Sequence, residues 1–261
     1  MTEGEFNLVR SAGFVIAAGV AVALQRWRPH ARLRRRLGSN VALWAVNLVV
    51  LSAVCGGCAC AVARWATTAQ VGVLNATAAP LWLGLPVTML ALDLVSYCWH
   101  RANHRIPPLW RFHQVHHSDA AFTVSTGVRF HPGELVLSLP LRLAAIAAVG
   151  APIIGVIVFE IVFSVANLVE HGDIDLPLEF ERRLGRVCIT PALHRRHHSR
   201  RRDELDSNFG TIFAFWDRLL GTFADNSSAE RVDTGLPELS RTPGLSAALL
   251  LPRHVYGRSA T

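Results

Sequence analysis

The sequence predicts an all-α integral membrane helical bundle with about four membrane helices, or three plus a re-entrant hairpin, and a cytoplasmic histidine-rich helical cap. Three observations carry this. Hydrophobic residues make up 51% of the chain and charged ones 17%, too apolar for an ordinary soluble domain. The apolar residues gather in runs long enough to cross a bilayer, which takes about 20 residues of helix. All histidines except His30 and His254, ten of the twelve, fall within 100–131 and 171–198, at spacings that share a helix face.

The N-terminus carries Glu3 and Glu5 rather than a positive stretch, and no small-residue cleavage site follows, so no cleaved signal peptide is expected. Residues 8–24 form the first apolar run, interrupted by Arg10. Arg26, Arg28, Arg32, Arg34, Arg35 and Arg36 follow it. By the positive-inside rule this cluster is cytoplasmic and the N-terminus lies outside; His30 within it reads as an interfacial residue. Every basic residue is arginine, and net charge is +7. The basic residues stand beside apolar runs, which favours a membrane surface over nucleic acid as the partner.

Residues 41–63 form a second run holding Cys55, Cys58 and Cys60. A CxxC can be redox-active or metal-binding. Inside a hydrocarbon-length segment without a nearby histidine, it reads as small residues that let helices approach. Cys98 and Cys188 are isolated, and Asn75 opens an N-A-T sequon to which no role is assigned. Pro80 and Pro86 interrupt 71–99, leaving 81–99 as the third span. Asp93 lies inside it, where a carboxylate is expensive and needs a reason. It shares a helical face with His100 and His104, so it reads either as the partner of a metal-bound imidazole or as a hydrogen-bonded structural group.

Three crossings put the first histidines at the cytoplasmic end of the third span. Residues 135–169 can form two antiparallel helices turning near Gly150 and Pro152, crossing fully or re-entering, and either returns the chain to the same side. Beyond His171 an arginine-rich cap is expected, through Arg182, Arg183 and Arg186 to Arg195, Arg196, Arg200, Arg201 and Arg202. The tail after residue 224 is expected to be loosely ordered, with His254 no ligand. The chain thus divides into membrane helices and an arginine-rich loop (1–80), a catalytic region (81–223) and a tail (224–261).

His100 and His104 are i, i+4; His113, His116 and His117 are i, i+3, i+4, and His194, His197 and His198 repeat that pattern. Neutral imidazole is a common transition-metal ligand. One zinc takes about four ligands, so these eight are too many for one ion and suit two adjacent ions with four or five nitrogens each. Closed structural zinc sites favour cysteine, and none is interleaved here.

Several stretches resemble, in order and spacing, the fatty acid hydroxylase/sterol desaturase superfamily. They are Asp93-x3-Tyr97-x-Trp99-His100-Arg-x2-His104, then Leu109-Trp110-Arg111-Phe112-His113-x2-His116-His117-Ser118, then Arg129-Phe130-His131-Pro132-x-Glu134. Thr190-Pro191-x2-His194-x2-His197-His198, Asn208-Phe209-Gly210 and Trp216-Asp217-Arg218-x2-Gly221-Thr222 continue it. The resemblance covers about residues 81–223. It implies a membrane-embedded di-iron oxygenase that uses O2 and two electrons to hydroxylate or desaturate a C–H bond of a lipid. It further implies His100, His104, His113, His116, His117, His194, His197 and His198 as iron ligands, with His171 a ninth. Asn167, four residues before His171, is expected either to hold a metal-bound water or to pack as a polar residue of its helix, and His131 to stand behind the ligands, with a tenth ligand or a cap on its loop as its other readings.

Such chemistry needs open metal positions and a dry, apolar channel. Trp99, Trp110, Phe112, Phe122 and Phe130 interleave the histidines and can line it or anchor the interface. No Rossmann, haem-attachment or ferredoxin cysteine motif occurs, so a separate electron-donor protein of cytochrome or ferredoxin type is expected. Its docking face would lie around Arg195–Arg202, with headgroup binding the alternative use of those charges. The expected location is the bacterial inner membrane with the histidines facing the cytoplasm. A zinc-dependent membrane hydrolase and a non-catalytic metal-binding protein are the other readings.

Overall fold

The computed structural model describes residues 1–31, 37–55, 57–225 and 232–257, and among them forms helices and turns with no strand. Arg32, Arg34, Arg35 and Arg36 of the expected positive cluster lie outside the described residues.

Helix α1 (Glu3–Trp27) opens with a capping box, in which Thr2 and Glu5 satisfy each other's backbone N–H. Its small residues Ala17 and Ala21 bury against Val124 and Leu168. The 41–63 run is not one helix. It divides into α2 (Leu37–Cys55) and α3 (Cys58–Thr68), because Gly57 adopts φ +74°, a left-handed conformation that breaks the ladder. Cys60 is buried between α1 and the helices opposite it, as the packing reading expected. A short turn, α4 (Val73–Ala76), leads to α5 (Leu81–Arg105), which starts at Pro80, runs through Pro86 and continues past residue 99 to carry His100 and His104. Pro107 starts α6 (Pro107–His117) at a position where a missing N–H costs nothing. Helices α7 (Pro132–Val149) and α8 (Ile153–Glu170) form the predicted antiparallel pair, each of 18 residues. The expected four spans, or three with a hairpin, resolve as five segments long and apolar enough to cross a membrane: Glu3–Trp27, Leu37–Ala76, Leu81–Arg105, Pro132–Val149 and Ile153–Glu170.

The turn between α7 and α8 shows how tightly the far end closes. Gly150 sits at φ +69°, and Gly72 approaches it so closely that a Cβ on Gly72 would lie 2.2 Å from the Gly150 nitrogen. The first turn of α1 lies at that end too, with Glu3 against Gly57. At the opposite end the C-terminus of α1 meets the cap: Gln25 Oε1 accepts from the backbone N–H groups of Val124 and Asp173. All five segments therefore share two ends, and every histidine box lies at one of them. The core between is apolar and built from Phe6, Leu92, Ile146, Val156 and Phe159.

The cap adds three short helices, α9 (Leu178–Leu184), α10 (Pro191–His197) and α11 (Arg202–Leu205), then α12 (Phe215–Leu219) and α13 (Leu245–Leu250). The described part of the tail is not loose. Leu236, Ala248 and Leu251 are buried, Tyr256 O accepts from Trp110 Nε1, and Gln114 Nε2 donates to Leu251 O and His254 O. Composition suggested disorder, but a few apolar residues among the polar ones suffice to pin the segment across α2 and α6.

Candidate metal centre

The turn at Ile106 folds α6 back beside the end of α5. His100 and His104 of α5 then face His113 and His117 of α6, and α10 adds His197, making one group of five. The remaining face of α6 presents His116 to His171, the C-cap of α8, and to His194 and His198, making a group of four. Within each group one ligand atom per residue lies within 4.8 Å of all the others. The nine are the histidines singled out from the sequence; His30, His131 and His254 lie outside both groups.

The rear nitrogens explain which way the rings point. Nδ1 donates to Phe209 O in His100 at 2.9 Å, to Glu134 Oε1 in His113 at 2.8 Å, to Arg129 O in His116 at 3.3 Å, to Asn167 O in His171 at 2.6 Å and to Ser207 O in His197 at 2.7 Å. A proton on Nδ1 leaves the Nε2 lone pair facing inward, the tautomer that a bound metal requires. Buried Nε2 atoms of His100, His113 and His197 have no hydrogen-bond partner. Others converge on one another: His104 and His117 at 3.1 Å, His116 and His171 at 3.0 Å, His171 and His194 at 2.9 Å. In the His116–His171 pair both Nδ1 atoms donate elsewhere, so two lone pairs meet at 3.0 Å and repel unless a cation lies between them. Imidazole–metal bonds of about 2.1 Å at right angles put neighbouring nitrogens ~3.0 Å apart. The residues therefore fit a metal ion at each group.

Electrostatics agree. Burial, then the neighbouring imidazoles, hold His116, His117, His194 and His198 well below the usual histidine range. Burial pushes His171 down to about 4 and His197 to about 3. These six imidazoles are thus neutral at physiological pH and ready to ligate.

Several supports had no sequence signal of their own, though some lay in quoted motifs. Glu134 binds His113 and also accepts from Asn103 Nδ2 at 3.1 Å. Asp217 takes the backbone N–H of Phe209 and Gly210 and the Thr222 hydroxyl, at 2.7, 2.9 and 2.7 Å. That fixes the loop whose carbonyls hold His100 and His197. Arg129 is fully buried and clamps the end of α6, donating to Val115 O, Asn40 Oδ1, Ser118 Oγ and Pro243 O. Glu170, one residue before His171, is buried with Oε1 3.7 Å from His171 Nδ1 and 3.9 Å from His194 Nε2. Only its place beside a box histidine could have flagged it.

Three expected supporting residues have other partners. Asp93 accepts from the backbone N–H of Ile212 and Phe213 and from Trp216 Nε1, and touches no imidazole. Its face of α5 packs on the cap loop, so it steadies that loop instead. The Asn167 amide donates to Gly127 O at 2.7 Å, while its backbone carbonyl serves His171; a side chain so engaged packs α8 on the 124–128 turn. His131 is the N-cap of α7, its Nδ1 accepting from Gly133 N–H, and its ring lies on Phe112. The Arg195–Arg202 face is likewise less free than its sequence suggests. Arg195 is buried and donates to Ile174 O, Arg196 pairs with Glu204, and Arg200 is tied to the carbonyls of Leu236 and Leu239. Arg201 and Arg202 are exposed.

A cavity of about 190 Å³ opens beside the imidazoles, bounded by His100, His116 and His194 at one end and by Trp99, Phe130 and Phe163 along its wall. Of the interleaved aromatics, Trp99 and Phe130 line it. Trp110 lies behind His104, Phe122 against His198 and Phe112 against His131.

Known proteins are similar in sequence to this chain. The chain is 32% identical over 157 residues to ornithine lipid hydroxylase OlsE of Rhizobium tropici, covering 59% of the chain and 44% of that relative. It is 34% identical over 146 residues to alkylglycerol monooxygenase of Danio rerio, covering 54% and 30%. It is 26% identical over 155 residues to cholesterol 25-hydroxylase of Rattus norvegicus, covering 57% and 49%. The chain thus spans about half or less of the length of these relatives. No solved structure matches it significantly. The fatty acid hydroxylase family model matches residues 85–222, more than half of the chain and every box histidine: the chain belongs to the fatty acid hydroxylase family.

Proposed function

We propose that this protein is a membrane-bound, O2-dependent di-iron oxidoreductase that hydroxylates a C–H bond of a lipid. The observation that carries the reading is the pair of imidazole groups, five and four, in which the rear N–H groups of His100, His113, His116, His171 and His197 are held by protein acceptors while the inner nitrogens face shared centres. His100, His104, His113, His117 and His197 would hold one iron, and His116, His171, His194 and His198 the other. Imidazole suits iron, and neutral ligands leave the ions their full charge. Two irons, when bound, supply the electrons that activate O2 toward an otherwise inert C–H bond.

The chain's own residues supply the rest. Phe209 O, Ser207 O and Glu134 fix ring orientation, so the ligand geometry exists before metal arrives. The cavity between α5, α7 and α8 is walled by Leu92, Trp99, Phe159 and Phe163, which exclude water from the reacting carbon and orient a hydrocarbon chain toward His100 and His194. Hydroxylation is favoured over desaturation because the three relatives named above are, by name, hydroxylases or monooxygenases. With the arginines flanking α1 on the cytoplasmic side, the imidazoles face the cytoplasm, and the membrane would be the bacterial inner membrane. Electrons would come from a separate acidic donor docking on exposed arginines such as Arg182, Arg186, Arg201 and Arg202.

The test compares lipids and metal together. Purified protein should hold about two irons per chain, and cells carrying it should accumulate a lipid heavier by one oxygen only when O2 is present. Zinc content with an O2-independent change of lipid would favour a hydrolase, and stable metal with no lipid change a non-catalytic metal protein.

A further inference from the structure

Helices α1, α7 and α8 hold an ion cluster inside the membrane-spanning bundle that the metal centre does not use. Arg142 Nη2 donates to Glu160 Oε1 at 2.9 Å, and Arg10 Nη1 lies 3.6 Å from Glu160 Oε2. Glu160 is buried, whereas the side chains of Arg142 and Arg10 are 38% and 47% exposed; Arg142 lies across Phe159, and its Nε–H is buried without a hydrogen-bond partner. Two guanidiniums share one carboxylate, and among the described residues no second acidic side chain pairs with either. The cluster therefore carries one uncompensated positive charge. Charge at that depth is costly, and in membrane proteins it marks a ligand or ion site by default.

Its position relative to the imidazoles is informative. Arg142 lines the cavity whose other end is formed by His100, His116 and His194. Along α7 it stands eight residues beyond Glu134, which holds His113, and along α8 Glu160 stands ten residues before Glu170, beside His171 and His194. At 1.5 Å per residue the cluster is about 12–15 Å from the metal groups. The wall between is mostly apolar, through Leu92, Leu135, Phe159 and Phe163, with Ser96 and Ser138 among them. One end can thus hold an anion and the other can face a hydrocarbon segment.

We propose that Arg142, with Arg10 and Glu160, is the headgroup end of the substrate cavity and selects a lipid with an anionic group, carboxylate or phosphate, whose chain extends to the imidazoles. The free Nε–H and the excess charge recognise the anion; Glu160 keeps the guanidinium aimed and prevents the cluster from binding anions of any shape. The position of oxidation rests on the oxygenase reading. Under it, the attacked carbon lies far down the chain, roughly ten bonds from the anionic group.

The test is a binding experiment with no turnover. Protein in phosphatidylcholine nanodiscs, metal-free and metal-loaded, is titrated with palmitate, hexadecyl phosphate, methyl palmitate and hexadecanol. Versions brominated in mid-chain report binding by quenching Trp99, with Trp99→Phe as the background. Both anions should bind about tenfold more tightly than the ester or the alcohol, the range expected for charge-assisted hydrogen bonds. Arg142→Gln should abolish that preference and Arg142→Lys retain part of it. Glu160→Gln breaks the same ion pair but frees positive charge, so it should keep or increase the preference. A cluster that only locks helices together predicts that Arg142→Gln and Glu160→Gln act alike and that acid and ester bind equally, and that result overturns the proposal. If Arg142→Gln melts too low to assay, Glu160→Gln against the parent still decides. If only the phosphate is favoured, the site is a phosphate site; if only palmitate, a carboxylate site. Anion preference without any O2-dependent product would sink the oxygenase reading and leave this site standing; product without anion preference would do the reverse.

Discussion

The two imidazole groups differ in how they are assembled. The group of five draws His100, His104, His113 and His117 from one helical hairpin, α5–α6, and adds only His197 from a distance. The group of four takes His116 from α6, His171 from the end of α8 and His194 and His198 from the cap. The first is mostly a local product of helix spacing and one turn. The second exists only when α8 and the cap have closed on α6. It also starts with one fewer nitrogen, so it has less tolerance for loss.

That difference can be broken most directly by deletion of one ring on each side. His194→Ala leaves three imidazoles in the smaller group, too few to retain an ion without outside ligands, and metal content should fall to about one per chain. His197→Ala leaves four in the larger group, and metal content should stay near two with altered affinity. Metal analysis of both variants checks this; equal losses would show the groups to be equivalent. Glu134→Gln acts only on the larger group, through His113, and should weaken that ion about 10–100-fold, read by competition with a chelator.

Acid titration of the metal-free protein sharpens the same comparison. His171 and His197, one in each group, have folded values of about 4 and 3 against an ordinary 6.5. The unfolded chain takes up protons below about pH 6.5 while the folded rings do not. Their neutrality costs no stability above that pH; as pH falls, stability declines until the folded rings titrate near 4 and then 3. Thermal melting against pH should show this fall between 6.5 and 4, and a flat profile there would mean the rings are open to water. Asp217→Asn should have a smaller effect, roughly 1–3 kcal/mol from unpaired buried N–H groups of Phe209 and Gly210, with the larger group perturbed through His100. Smallest of all, reversing Arg182 and Arg202 to Glu should leave melting within about 0.5 kcal/mol of the parent and metal content unchanged, while slowing reduction by an acidic donor protein.

Periodicity and hydropathy made the helices legible, and histidine spacing made eight of the inward-facing rings legible, because both are local properties of a helix; His171 came only from the family resemblance. The break at Gly57 was hidden by the continuous apolar run around it. Asp93, Asn167 and His131 each kept more than one reading for one reason: a helical face can be read from sequence, but what lies opposite that face cannot. Asp93 faces the loop at 212–216, and Asn167 faces Gly127. The tail was misjudged because average polarity hides the few apolar residues, Leu236, Ala248 and Leu251, that anchor it.

The sequence by itself determined that this chain is a helical membrane protein with rings of histidine at one end of its helices, since hydrocarbon length and 3.6-residue periodicity are written in consecutive residues. Only the tertiary structure decided how nine rings divide into five and four, which carbonyls and carboxylates hold them, and that Arg142 shares a cavity with them. Those facts depend on contacts between residues far apart in the chain, and such contacts are settled by packing rather than by any local pattern.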